Sequence, residues 1–126
     1  MRVLIADDQK DVGTTLAALV TECDHEVVEV VGSGFEAIQA YTRQRPDVVL
    51  MDYYMSHLNG VTACRNILSR YPGANVILVS GIVEAEDIIN SGATAVLAKP
   101  VNLAQLRMLL SGSLSFHAKA PASQNP

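Results

Sequence analysis

The chain has 126 residues, 49% of them hydrophobic and 17% charged, and a formal net charge of -4. That length supports one domain with its own core, and the negative balance disfavours direct contact with nucleic acid or an anionic membrane. No apolar run approaches the ~20 residues a spanning helix needs, and Met1 leads into Arg2-Val3-Leu4-Ile5 with no charged leader or cleavage site, so no secretion signal is expected. Two cysteines, Cys23 and Cys64, without CxxC or metal spacing point to a reducing, cytoplasmic setting.

Val3-Leu4-Ile5-Ala6 reads as a short apolar strand with Asp7-Asp8 at its carboxyl end. Val12, Leu16, Leu19, Val20 and Cys23 then recur at helical spacing, so a first helix lays one face on a sheet. Either aspartate could cap that helix, but capping requires only one. Residues 27–31 form a second strand interrupted by Glu29, which marks an edge with one wet face. Gly32-Ser33-Gly34 turns the chain into a helix whose inner face carries Ala37, Ile38 and Tyr41, and Pro46 ends anything helical.

Val48-Val49-Leu50-Met51-Asp52 is apolar at successive positions, the pattern of a strand covered on both faces, and it delivers Asp52 to its carboxyl end. A loop over 53–59 reaches Gly60, and Val61, Cys64, Ile67, Leu68 and Tyr71 give a third helix closed by Pro72-Gly73. Val76-Ile77-Leu78-Val79 is a fourth strand ending in Ser80-Gly81. A short helix with Ile88 and Ile89 runs from about Glu84 to Gly92. Ala95-Val96-Leu97-Ala98 is a fifth strand ending in Lys99-Pro100. Asn102 caps a last helix with Leu103, Leu106, Leu109 and Leu110 inward. The domain is expected over 1–112 and a polar, frayed tail over 113–126.

Five strand–helix alternations predict an α/β fold with a parallel sheet and right-handed crossovers. With the Glu29 strand and the short last strand as edges, the expected architecture is the flavodoxin-like, doubly wound order 2-1-3-4-5 with five helices. The first and fifth helices then lie on one face and the second to fourth on the other. Cys23 and Cys64 are not spaced as a redox or metal pair and are read as reduced, buried side chains separated by the sheet.

At the strand ends stand Asp7-Asp8, Asp52, Ser80 and Lys99. Carboxylates converging within ~5 Å repel by about 3 kcal/mol per pair at an effective dielectric of 20, so they call for a cation. An all-oxygen site suits Mg²⁺. Lys99 and the Ser80 hydroxyl suit a phosphoryl oxygen, which leaves a carboxylate as nucleophile.

These residues in register resemble the receiver domain of bacterial response regulators over essentially 1–112, with Gly60 and Gly92-Ala93 also matching. The resemblance implies that Asp52 accepts a phosphoryl group from a histidine kinase or phosphotransfer protein, assisted by Ser80 and Lys99. It implies Mg²⁺ (or Mn²⁺) on Asp8, Asp52 and the Tyr54 backbone carbonyl, with Asp7 acting mainly through water, and a cis Lys99-Pro100 bond. No reaction beyond its own phosphorylation and dephosphorylation is expected. Output is expected through the helix 4/strand 5/helix 5 face, to a downstream protein or a fused output domain, with a phosphorylation-dependent dimer as a further expectation. With no output domain present, a stand-alone or adaptor-like receiver is expected, the alternative being that the polar tail is a linker within a larger regulator.

Four positions depart from the family's pattern. Met55-Ser56 stands where Met-Pro is usual, and Val96 where a switch aromatic is usual. Ser80 and Lys99 are closer by about one helical turn. The last helix lacks the charge pattern of the winged-helix subfamily's dimer face. With Val96 in place, a two-state element is expected in 81–87. Tyr54 and Ile82 flank the path of a hydrolytic water, so a slowly decaying phosphoryl group is expected. The competing readings are a pseudo-receiver that works through protein contacts without phosphorylation and an aspartyl-phosphate phosphatase. Against the first, no acidic, hydroxyl or lysine position is missing; against the second, there is no Asp-x-Asp after the first strand. His25 and His117 read as surface or tail residues, and His57 as a loop residue without ligand partners.

Overall fold

The computed structural model describes residues 1–56, 58–81 and 86–111. The elements in order are β1(Arg2–Ala6), α1(Lys10–Glu22), β2(Glu26–Val31), α2(Gly34–Gln44), β3(Val48–Asp52), α3(Gly60–Arg70), β4(Val76–Ser80), α4(Glu86–Ile89), β5(Ala95–Ala98) and α5(Leu103–Leu110). The sheet is parallel throughout, in the order β2-β1-β3-β4-β5. This is the expected flavodoxin-like arrangement, and it places the carboxyl ends of β1, β3, β4 and β5 along one rim.

β3 and β4 are buried at every position, as their unbroken apolar runs require. β2 is an edge strand of mostly half-exposed residues. Its Glu29 is bonded by Arg43 Nη2 at 2.7 and 2.8 Å and by Gln44 Nε2 at 3.2 Å, which keeps a carboxylate on a wet edge without burying it. Two core layers cover the sheet. Leu16, Val20 and Cys23 join Leu106 and Leu110 on one face; Ala37, Tyr41, Cys64, Ile67 and Ile88 lie on the other. Cys23 and Cys64 are therefore on opposite faces, and both are free thiols. Burial pushes the Cys64 thiol up to about 11.

Helix starts follow their side chains. Ser33 caps α2 by accepting from Glu36 N–H, while Glu36 reaches back to Gly32 N–H at 3.1 Å, a capping box shifted by one residue. Asn59 and Asn102 cap α3 and α5. The end of α2 is less expected. Arg45, not a glycine, takes the left-handed cap at φ 45°. Its guanidinium lies 4.2 Å above the Tyr71 ring, which itself stacks on Tyr41 at 5.0 Å. That cation–π contact offsets part of the strain of the cap.

The described part of α4 holds four residues. Ile88 is buried and Ile89 is 68% exposed, so only one of the two isoleucines faces the core. The predicted start near Glu84 lies outside the described residues, as do most of the predicted 81–87 element, Ile82, His57, His117 and the 113–126 tail. Among the described residues no helix is long and apolar enough to cross a membrane.

Candidate functional site at the carboxyl rim of the sheet

β1 continues into Asp7, whose N–H donates to Val31 O at 3.0 Å, so the residue stays locked to the sheet edge beyond the strand. Its side chain has 0% exposure. Oδ1 accepts the Gln9 N–H at 2.8 Å, which shapes the turn into α1; no side chain caps that helix at Gln9 itself. Oδ2 is buried without a hydrogen-bond partner. Half of Asp7 thus does the local structural work, and the other half points at something else. Asp8, next in the chain, is exposed, and its Oδ2 accepts from Ser56 N at 3.0 Å and Ser56 Oγ at 3.3 Å.

Asp52 ends β3 with 4% exposure. β3 is placed beside β4 with Asp52 opposite Val79, so Ser80 follows one residue further along the rim. Ser80 pairs with Ala98 on β5, and Lys99 N–H donates to Ser80 O at 2.9 Å, which carries Lys99 to the same rim. Lys99 Nζ lies 2.8 Å from Asp52 Oδ1 and 4.0 Å from Asp7 Oδ2. The Lys99-Pro100 bond is cis, as expected. The backbone around Asp52 is closed in by Gly60: a Cβ there would overlap the Asp52 carbonyl oxygen, and Gly60 N–H donates to Tyr53 O at 2.8 Å. Only glycine lets α3 begin that close to the end of β3.

Asp7, Asp8 and Asp52 each offer a carboxylate oxygen within 4.8 Å of the others. Burial, ahead of all other influences, raises the Asp7 carboxyl above the usual carboxylate value, and the nearby Asp52 charge adds to it. Burial likewise raises Asp52, against the opposing pull of Lys99. Both groups are uncomfortable as anions in the bare protein, and a dication would reverse that. The donor set is all oxygen, with one buried carboxylate oxygen left unpartnered, so it fits a hard cation such as Mg²⁺.

The predicted residues at the ends of β1, β3, β4 and β5 are therefore brought together. Tyr54 follows Asp52 on the same loop and is 81% exposed. His25 is also more than a bland surface residue, since its Nδ1 pairs with the Met1 amine at 2.9 Å. Two further contacts join segments far apart in the chain. Tyr53 Oη donates to Asp87 Oδ2 at 2.8 Å, tying the residue after Asp52 to α4. Ser56 bonds Asp8 across 48 residues. Neither has a local sequence signal.

Residues 3–111 match the family described as the response regulator receiver domain. Among curated relatives, the chemotaxis protein CheY of Listeria monocytogenes is 32% identical over 103 residues, covering 79% of this chain and 87% of its own length. Protein-glutamate methylesterase/protein-glutamine glutaminase 4 of Geobacter metallireducens is 36% identical over 107 residues, covering 79% of this chain but only 30% of that protein. The chain thus spans under a third of such multidomain relatives and most of the single-domain ones. In shape it resembles one chain of the CheX-CheY-BeF3-Mg+2 complex from Borrelia burgdorferi, with TM-score 0.83, 26% identity, and 91% of this chain and 90% of that chain covered.

Proposed function

The chain belongs to the response regulator receiver family of two-component signalling, and from that premise we propose that it is a phosphorylation-dependent switch whose acceptor is Asp52. The observation that carries this reading is the Lys99–Asp52 pair at 2.8 Å beside a buried, unpartnered Asp7 oxygen. A carboxylate oxygen of Asp52 attacks the phosphorus of a phosphohistidine on a histidine kinase or phosphotransfer protein. The O–P bond forms, the N–P bond breaks, and the electron pair leaves on the imidazole nitrogen, which takes a proton from solvent. Lys99, a point charge on a flexible stem, follows the negative charge from Asp52 onto the phosphoryl oxygens. Ser80 presents a hydroxyl donor from the neighbouring strand end. A groove of about 560 Å³, lined by Gln9, Asp11, Val12, Leu16, Pro100 and Val101, borders the site through Lys99 alone.

Asp7, Asp8, Asp52 and the Tyr54 carbonyl would hold Mg²⁺ or Mn²⁺. When bound, such a cation neutralises carboxylate charge and stabilises charge on the transferring phosphoryl oxygens. On this reading the protein turns over nothing but its own acyl phosphate, and it acts in the cytoplasm by changing how its α4–β5–α5 face meets a protein partner or a fused domain. The test is incubation with a small acyl phosphate and Mg²⁺, followed by intact-mass measurement. Wild type should gain one phosphoryl group and Asp52→Asn none. Labelling of the variant, or none of the wild type, would overturn the assignment.

A further inference from the structure

Asp8 is the one exposed member of the acidic cluster, and an exposed aspartate is free to rotate unless something holds it. What holds it is Ser56, from the loop that leaves Asp52. Both Ser56 donors, N–H at 3.0 Å and Oγ at 3.3 Å, converge on the same oxygen, Oδ2. Oδ1 is left without a protein donor among the described residues. Ser56 is itself exposed, and the backbone on either side of it sets its place. The preceding Met55 is 3% exposed in the core, and the Ser56 carbonyl accepts the Leu58 N–H at 2.9 Å.

We infer that Ser56 is a positioning residue for the cation site: it fixes the Asp8 carboxylate through Oδ2 and leaves Oδ1 to the metal. The inference rests on the cation reading given above and adds to it a residue that never touches the ion. A ligand carboxylate whose second oxygen is hydrogen-bonded is oriented before the metal arrives, and loss of such an outer partner weakens metal binding about 10- to 100-fold in other proteins. A proline, usual in place of Ser56 in the family, would carry neither donor. This chain therefore ties its metal ligand to the acceptor loop by a contact that a proline could not make.

The experiment is Mn²⁺ titration of the full chain, read from the free-ion paramagnetic resonance signal, so no phosphorylation enters the readout. Ser56→Pro should weaken Mn²⁺ binding about 10-fold. Ser56→Ala, which keeps the N–H, should weaken it by a few-fold, and Ser56→Thr should bind as wild type. In an Asp8→Ala background, Ser56→Ala should cause no further loss, since Ser56 acts through Asp8. Should Ser56→Pro disturb the loop, the Ala and Thr variants still decide. Wild-type affinity in the Ala and Pro variants overturns the role of Ser56 alone. A wild type that binds no Mn²⁺ overturns the cation reading itself.

Discussion

Replacing Asp7 by asparagine tests whether the acidic cluster is built for a cation. The Asp7 side chain is fully buried, with Lys99 Nζ 4.0 Å away. An Asp52 oxygen within 4.8 Å repels it by about 3 kcal/mol at an effective dielectric of 20, and the lysine attracts it by about 4 kcal/mol. That ammonium is shared with Asp52, which it meets more closely, at 2.8 Å. The Coulomb terms nearly cancel, and the exposed Asp8 adds a screened repulsion. What remains is the burial of Oδ2 without a donor, a cost of about 1–3 kcal/mol. Asparagine keeps the acceptor that Gln9 needs and replaces the buried, unpartnered Oδ2 of an anion by part of a neutral amide. In EDTA, Asp7→Asn should therefore be more stable by about 1–3 kcal/mol, a rise in Tm of roughly 4 °C per kcal/mol for a domain of this size. Mg²⁺ at ten times its Kd should stabilise wild type by about 1.4 kcal/mol and the variant by less. Thermal melts followed by circular dichroism, with EDTA and with Mg²⁺, measure both. A lower Tm for the variant in EDTA, or equal Mg²⁺ shifts, would refute the reasoning.

Arg43→Ala removes the pair that holds the Glu29 carboxyl below its usual value of 4.5, its largest cause, with Gln44 second. A lowered folded pKa contributes stability above the unfolded value, lost as pH falls through the folded one. The variant should lose less than about 1 kcal/mol at neutral pH, because the pair is well solvated, and nothing in strong acid; equal losses in urea unfolding at both pH values would contradict this. Tyr53→Phe keeps the ring but releases Asp87, and should cost about 1 kcal/mol. Its signature is faster amide exchange over 86–91 with β3 unchanged; exchange as slow as wild type would mean that the bond does not hold α4.

What the linear chain determined was whatever depends on short-range pattern. The doubly apolar runs 48–51 and 76–79 predicted strands covered on both faces, and Glu29 predicted an edge, because side-chain period and burial are read within a few residues. Strand order and the meeting of Asp7, Asp8, Asp52, Ser80 and Lys99 followed, since right-handed crossovers bring every carboxyl end to one rim. Which oxygen does what was decided only in three dimensions. That Asp7 gives Oδ1 to Gln9 and leaves Oδ2 bare, that Ile89 turns outward while Ile88 turns in, and that Tyr54 faces solvent all depend on packing across elements. Ser56–Asp8 and Tyr53–Asp87 span 48 and 34 residues. Such contacts arise from loops meeting after the sheet has formed, and a hydrogen bond between distant loops leaves no periodicity in the chain that makes it.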